Sequence, residues 1–201
     1  MIKFRLAKLS DYKSLSKLHR EAGKFQEQGF MFKLGTFFLR SYYKTLLRGK
    51  NSVVVIAEDS NHQIHGFVSG TTAADEHLAN LNRQKIKFAF LLIGDLLFNP
   101  FLIKEVINRY NFINKKNGSD KFGVEKGARI EYWLWDINSK SNLSVFLLKS
   151  WLGIIKEFGI NEIDCEVDSN NLVAQKAHEL LGAKVYKKEI LSDGRKRFFY
   201  R

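Results

Sequence analysis

Apolar and polar positions alternate at the start of the chain, where Ile2, Phe4 and Leu6 have the period of a half-buried strand. Ser10 or Asp11 then caps a predicted helix through about Ala22, with Tyr12, Leu15, Leu18 and His19 along one side. A second helical pattern runs from about Lys33 to Leu47, with Phe37, Phe38, Tyr42, Leu46 and Leu47 apolar and Gly49 as its stop. Val53 to Ala57 is a continuous apolar run, as in a strand buried on both faces. The polar DSNHQ segment turns the chain into Ile64 to Gly70, so 51–70 reads as a hairpin.

Residues 71–127 are predicted to be a largely helical insertion. Their middle, IKFAFLLIGDLLFNPFLI, is strongly apolar but contains Asp95, Asn99 and the chain's only proline, Pro100. A spanning helix wants about 20 mostly apolar residues, and this run is broken before that. Two helices packed on the domain, with a break near Asn99 and Pro100, fit the pattern. A segment lying flat on a membrane surface is the alternative. After Tyr110 the composition turns polar, NKKNGSDKFGVEKG, and reads as a mobile loop.

From Arg129 the periodicity is strand-like again. Simple alternation puts Ile130, Tyr132 and Leu134 on one face and Glu131, Trp133 and Trp135 on the other. Asp136 to Ser141 forms a loop, and Leu148, Trp151, Leu152, Ile155 and Phe158 recur at helical spacing before Gly159. Ile163, Cys165 and Val167 then alternate with Asp164, Glu166 and Asp168. Asn170 or Asn171 caps a helix whose Val173, Ala174, Ala177, Leu180 and Leu181 are expected to face inward, with Gly182 as its stop. The final AKVYKKEILSDGRKRFFY reads as two strands joined at Ser192, Asp193 and Gly194.

The 201 residues and 45% hydrophobic content allow one substantial core, so a single domain spanning 1–201 is expected. One cysteine, Cys165, cannot form an intrachain disulfide, and the opening MIKFRLAKLSDYK lacks the apolar core of a signal peptide. A cytoplasmic protein is expected on these grounds. The net charge of +12 suits a nucleic acid, an anionic membrane surface or a phosphorylated metabolite. The basic residues are scattered, which disfavours nucleic acid, apart from Lys187, Lys188, Arg195, Lys196, Arg197 and Arg201, read as a solvated face.

The order β, α, α, β, β, insertion, β, α, β, α, β, β resembles the GNAT superfamily of N-acetyltransferases, a mixed-sheet α/β fold. The text Asn171 to Ala183, NLVAQKAHELLGA, is similar to that family's N-x-x-A-x-x-x-Y-x-x-x-G-F signature, with His178 in place of the tyrosine and Ala183 in place of the phenylalanine. Helix length places the family's Q/R-x-x-G-x-G/A loop on Ser139, Lys140, Ser141, Asn142, Leu143 and Ser144, where neither glycine is present. The resemblance implies acetyl-CoA as cofactor and a small amine as acceptor, with basic charge favouring an anionic one such as a carried amino sugar. It assigns backbone donors to Leu134, Trp135 and Asp136. It also places pyrophosphate contacts on Ser139, Lys140, Asn142, Leu143 and Ser144, and the helix from Asn171 beside the pantetheine. Asn142 is the residue best able to replace a left-handed glycine, and Ser144 is able to cap a helix.

His178 stands where the family's acid would protonate a thiolate, and an imidazolium with a pKa of about 6.5 is able to do so. The alternative is a structural histidine. Glu131, an acid among aromatics on alternation, is the candidate base, against an ordinary ion pair. Trp133 and Trp135 line a substrate slot or fill core. Asp164, Glu166 and Asp168 read as a solvated face rather than a metal site, and Cys165 as a small buried hydrophobe. The competing function is a GNAT-like protein without catalysis, serving as a binding or membrane-surface module. A homodimer is the other partner left open.

Overall fold

The computed structural model describes residues 1–23, 30–104, 106–107, 126–139, 141, 143–191 and 194–201. In chain order these form β1 (Ile2–Leu6), α1 (Tyr12–Gly23), α2 (Thr36–Arg48), β2 (Ser52–Asp59), β3 (Ile64–Thr71), α3 (Ala74–Arg83) and α4 (Lys85–Phe98). There follow β4 (Ala128–Trp135), α5 (Ser144–Glu157), β5 (Ile163–Asp168), α6 (Leu172–Leu180), β6 (Val185–Ile190) and β7 (Lys196–Tyr200). The seven strands make one mixed sheet in the order β1-β2-β3-β4-β5-β7-β6, and its one parallel neighbour pair is β4 with β5.

Strand alternation divides the apolar residues between two layers. Val54, Ile56, Phe67 and Leu134 pack under α1 and α2 against Leu15, Leu18, Tyr42, Tyr43 and Leu46. On the other face Val53, Val55, Ala57 and Val68 meet Leu147, Leu148, Trp151 and Ile155 of α5. The continuous apolar run of β2 is therefore explained by helices on both of its sides. A smaller cluster, Cys165, Val167 and Tyr200, lies under α6.

Two glycines on one face of β3 let two tryptophans lie flat on the sheet. A Cβ at Gly66 would sit 2.3 Å from the Trp135 ring, and one at Gly70 would sit 2.3 Å from Trp151 and 2.4 Å from the Arg129 carbonyl oxygen. Trp151 is fully buried and its indole N–H donates to the Val53 carbonyl at 2.9 Å. The large ring thus anchors α5 to the sheet with its one polar atom satisfied.

One element departs from simple alternation. Gly70 pairs with Ile130 but Ser69 with Tyr132, so Glu131 is an extra residue in β4, a β-bulge. The bulge brings Glu131 and the following Tyr132 to the α1–α2 side, while Ile130, Trp133 and Trp135 pack on the α5 side. The expected face-sharing of Glu131 with Trp133 and Trp135 is thereby corrected, as is that of Ile130 with Tyr132.

α6 is also rotated from expectation. Ala177 is buried as expected, but Val173 and Leu180 are 81% and 77% exposed and His178 is buried instead. Asn171 caps α6 by accepting from the Ala174 amide at 3.1 Å, and Gly159 and Gly182 end their helices at φ 75° and 92°. In the insertion, α4 ends with the Asn99 amide bonded to the Asp95 carbonyl, and helical residues resume at Leu102 beyond Pro100. The polar segment expected to be a mobile loop lies outside the described residues except Lys126 and Gly127.

Gly70→Ala is expected to destabilise the fold by about 1–3 kcal/mol, because one of its clashes is with backbone that cannot swing aside. Gly94→Ala, on a helix with no atom within 4 Å of the new Cβ, should instead stabilise by about 0.5–1 kcal/mol. Urea unfolding of the two variants checks both signs.

Candidate active site where β4 and β5 part

The parallel pair β4 and β5 is joined at Ala128 with Ile163 and at Arg129 with Asp164, and then parts. β4 runs on to Trp135 beside β3, and β5 runs on to Asp168 beside β7. Each strand therefore turns one backbone edge to a gap that no other strand of the sheet fills. The Asp136 amide donates to the His65 carbonyl at 2.7 Å. Antiparallel alternation then directs the Leu134 amide to β3 as well, and the Trp133 and Trp135 amides to the gap. Of the three predicted backbone donors, Trp135 is the one so turned. Its indole N–H is buried without an acceptor among the described residues.

The loop after β4 is closed by its own side chains. The Asp136 carboxylate accepts from the Asn138 amide at 2.9 Å, and Ser139 Oγ from the Ser141 amide at 3.4 Å. Lys140 and Asn142 lie outside the described residues. Ser144 is the first residue of α5 rather than its cap, since Leu143 holds the cap position and makes no side-chain bond. Among the described residues no side chain caps the first-turn amides of this 14-residue helix. Trp133 braces the turn, its indole N–H donating to the Ser144 carbonyl at 3.2 Å.

His178 enters from α6, with ring centroids 5.7 Å from Trp133 and 5.9 Å from Tyr200. It is 7% exposed, and its Nδ1 lies 3.6 Å from Cys165 Sγ. Burial pushes the Cys165 thiol up to about 12, so the sulfur keeps its proton beside the imidazole. The imidazole pKa is lowered by burial, which favours the neutral ring. Burial thus disfavours the imidazolium form expected of this residue.

Across the sheet, Glu131 Oε1 accepts from Arg129 Nε at 2.6 Å and lies 2.6 Å from Arg129 Nη2. His77 of α3 approaches the same oxygen to 3.5 Å. Burial lowers the His77 pKa, with Glu131 opposing, and its side chain is almost closed to solvent. Burial, followed by the charge of Glu131, holds the Tyr42 phenol well above its ordinary pKa. The environment of Glu131 is thus ionic and phenolic rather than aromatic core. His77 and Arg129 escaped sequence reasoning because the bulge that aims Glu131 at them has no periodic signature; an isolated histidine in an apolar insertion was the signal on offer.

The acids of β5 share one face, as expected, but are matched rather than solvated. Asp164 pairs with Arg201, Glu166 with Arg197, and Asp168 with both Arg195 and Arg197. The C-terminal arginines, read as a solvated basic face, are the other half of this ladder. Among the described residues no cluster suited to a metal ion occurs.

No family model and no curated protein matches the chain in sequence. Solved structures do match its architecture. An acetyltransferase of the GNAT family from Streptococcus pneumoniae aligns at TM-score 0.60 and 11% identity, covering 100% of this chain and 97% of that one. The fold is that of the GNAT acetyltransferases. A second match is a proposed acetyltransferase from Salmonella typhimurium with its cofactor acetyl-CoA (TM-score 0.61, 12% identity, 100% and 92% covered). The third is an N-acetyltransferase from Thermoplasma acidophilum in complex with coenzyme A (TM-score 0.57, 14% identity, 99% and 98% covered). At such identities the GNAT likeness extends to the chain path and not to side chains.

His19 of α1 supplies a measurable consequence beside Tyr132, whose ring is 4.6 Å away. Its Nδ1 is hydrogen-bonded to the Tyr43 hydroxyl, and burial takes the His19 pKa down to about 3. The unfolded chain takes up a proton here below about pH 6.5 and the folded chain does not. Stability is therefore full above that pH and is lost as pH falls, at about 1.4 kcal/mol per unit from this group. Buried His77 and His178 shift in the same direction. His19→Phe should flatten the slope by about one proton in urea unfolding between about pH 6.5 and 4.5.

Proposed function

We propose that this chain is an N-acyltransferase that uses acetyl-CoA to acylate a small amine. The observation that carries the reading is the parting of β4 and β5 before a helix N-terminus that has no side-chain cap among the described residues. Free first-turn amides and the helix dipole suit a pyrophosphate, so the donor set fits the cofactor although the loop has no glycine. The amides of Ser144 and its successors would hold the phosphates, with Ser139, Lys140, Asn142 and Leu143 completing the loop. Asn171, through its cap on α6, fixes the helix that would flank the pantetheine arm. Bound acetyl-CoA supplies an acyl thioester as the electrophile.

The chain's own groups divide the remaining work. The Trp135 amide is the donor aimed at the gap, where a carbonyl oxygen gaining charge would accept it. Glu131 takes the proton from the attacking amine, directly or through water. Its Oε2 is the oxygen for this, because Arg129 and His77 both address Oε1. His178 holds its Nε2 proton as a hydrogen-bond donor to the leaving sulfur. The net charge of +12 leaves an acceptor with a negative group, such as a carried amino sugar, as the favoured class.

The glycine-free loop favours one second reading, a GNAT-fold protein that binds without turnover. Isothermal titration separates the two at the first step. Binding of acetyl-CoA is expected at sub-millimolar concentration, and absence of heat near millimolar cofactor removes the enzyme reading. With an acceptor in hand, Glu131→Gln should lower kcat by about 100-fold, with the affinity for acetyl-CoA kept. His178→Phe should lower kcat by a smaller factor. Because His178 is neutral above about pH 6.5, kcat should not fall as pH rises from there to 8; a fall would restore the imidazolium role.

A further inference from the structure

Helix α4 is apolar on both of its sides, and only one of them is covered. Inward, Phe88 stacks on Phe38 of α2 at 5.2 Å, and the Asp95 carboxylate accepts from the Gly35 amide at 2.8 Å. Outward, Ile86, Phe90, Ile93 and Leu97 recur at spacings of four, three and four, which is one stripe along a helix. They are 68%, 71%, 54% and 78% exposed. Phe98, the last residue of α4, and Phe101 just after it are 93% and 88% exposed. Four large apolar side chains in one exposed stripe, with two exposed phenylalanines at its end, mark a surface that is covered in use.

We propose that this stripe seats the protein on an anionic lipid surface. Charge decides the occupant. On the helical wheel Lys85 and Lys87 flank the stripe on opposite sides, and both are exposed, as are Arg83 before α4 and Lys104 after it. Ammonium and guanidinium groups at that level meet phosphate headgroups while the stripe enters the acyl boundary. A second copy of the chain carries the same flanking cations and the same net charge of +12, so it is repelled where the lipid is attracted. The attachment lies in the plane of the surface: no helix among the described residues is long and apolar enough to cross a membrane. This inference stands apart from the acyl-transfer reading, since α4 belongs to neither the gap nor the β4–α5 loop.

Flotation of the full chain with phosphatidylcholine vesicles, with and without phosphatidylglycerol, tests it. The wild type should float with the anionic vesicles, remain behind with the neutral ones, and detach as salt rises. The double variant Phe90→Ser, Leu97→Ser should weaken flotation at least about tenfold, with an unchanged circular dichroism spectrum. Lys85→Glu with Lys87→Glu should weaken it on anionic vesicles. Failure of the wild type to float, or flotation indifferent to the serine pair, overturns the proposal. So does a dimer in analytical ultracentrifugation that the serine pair dissolves, because the stripe would then serve a second copy.

Discussion

The parallel contact between β4 and β5 lasts for two residue pairs, and the rest of the site depends on its ending there. Continued pairing would satisfy both backbone edges and leave nothing for a ligand to bind. Two features lie where the strands part. The Glu131 bulge turns β4, and the Trp133 and His178 rings occupy the side of the sheet beneath α6. The parting is tolerable because each strand keeps its other neighbour, β3 for β4 and β7 for β5. Seven strands thus behave as one sheet in folding and as two edges in chemistry, and buried backbone groups at such edges require a partner from outside the sheet.

Much of the frame was legible in the sequence because its punctuation is local. Gly159, Gly182 and Asn171 mark helix ends through conformations and caps that a few residues decide. The hairpin and the final strand pair carry their own turn signals. What was not legible depends on contacts distant in sequence. The bulge at Glu131 arises where β4 passes Gly70, which itself must stay small beneath Trp151. A single extra residue exchanges the faces on either side of it, so the alternation that placed Trp133 correctly relative to Trp135 misplaced Glu131. In α6 the large exposed Val173 and Leu180 masked the true inner face, where a histidine and alanines approach the sheet closely.

The charge balance divides by location in a similar way. The acids of β5 and the arginines of β7 look like separate acidic and basic faces in sequence, and the antiparallel register folds one onto the other. Such half-buried pairs contribute little net stability, but a mismatched one leaves a charge stranded against the sheet. Their value is in fixing register beside the gap. The matching also removes the C-terminal arginines from the uncompensated positive charge, which leaves lysines elsewhere, those of α4 included, to express it.

The bond between Asp95 and the Gly35 amide has a consequence for how α4 is aimed. A helix with apolar residues all around has no hydrophobic preference for any azimuth, and several rotations about its axis would bury similar area. One carboxylate breaks that degeneracy, and the absence of a side chain at Gly35 admits it: a Cβ there would stand 2.0 Å from the Asp95 oxygen. The charge that interrupts an otherwise membrane-like run in sequence therefore acts in the folded protein as a rotational key. It is the pairing of an aspartate with a missing methyl, sixty residues apart, that decides which half of α4 the protein keeps and which half it shows.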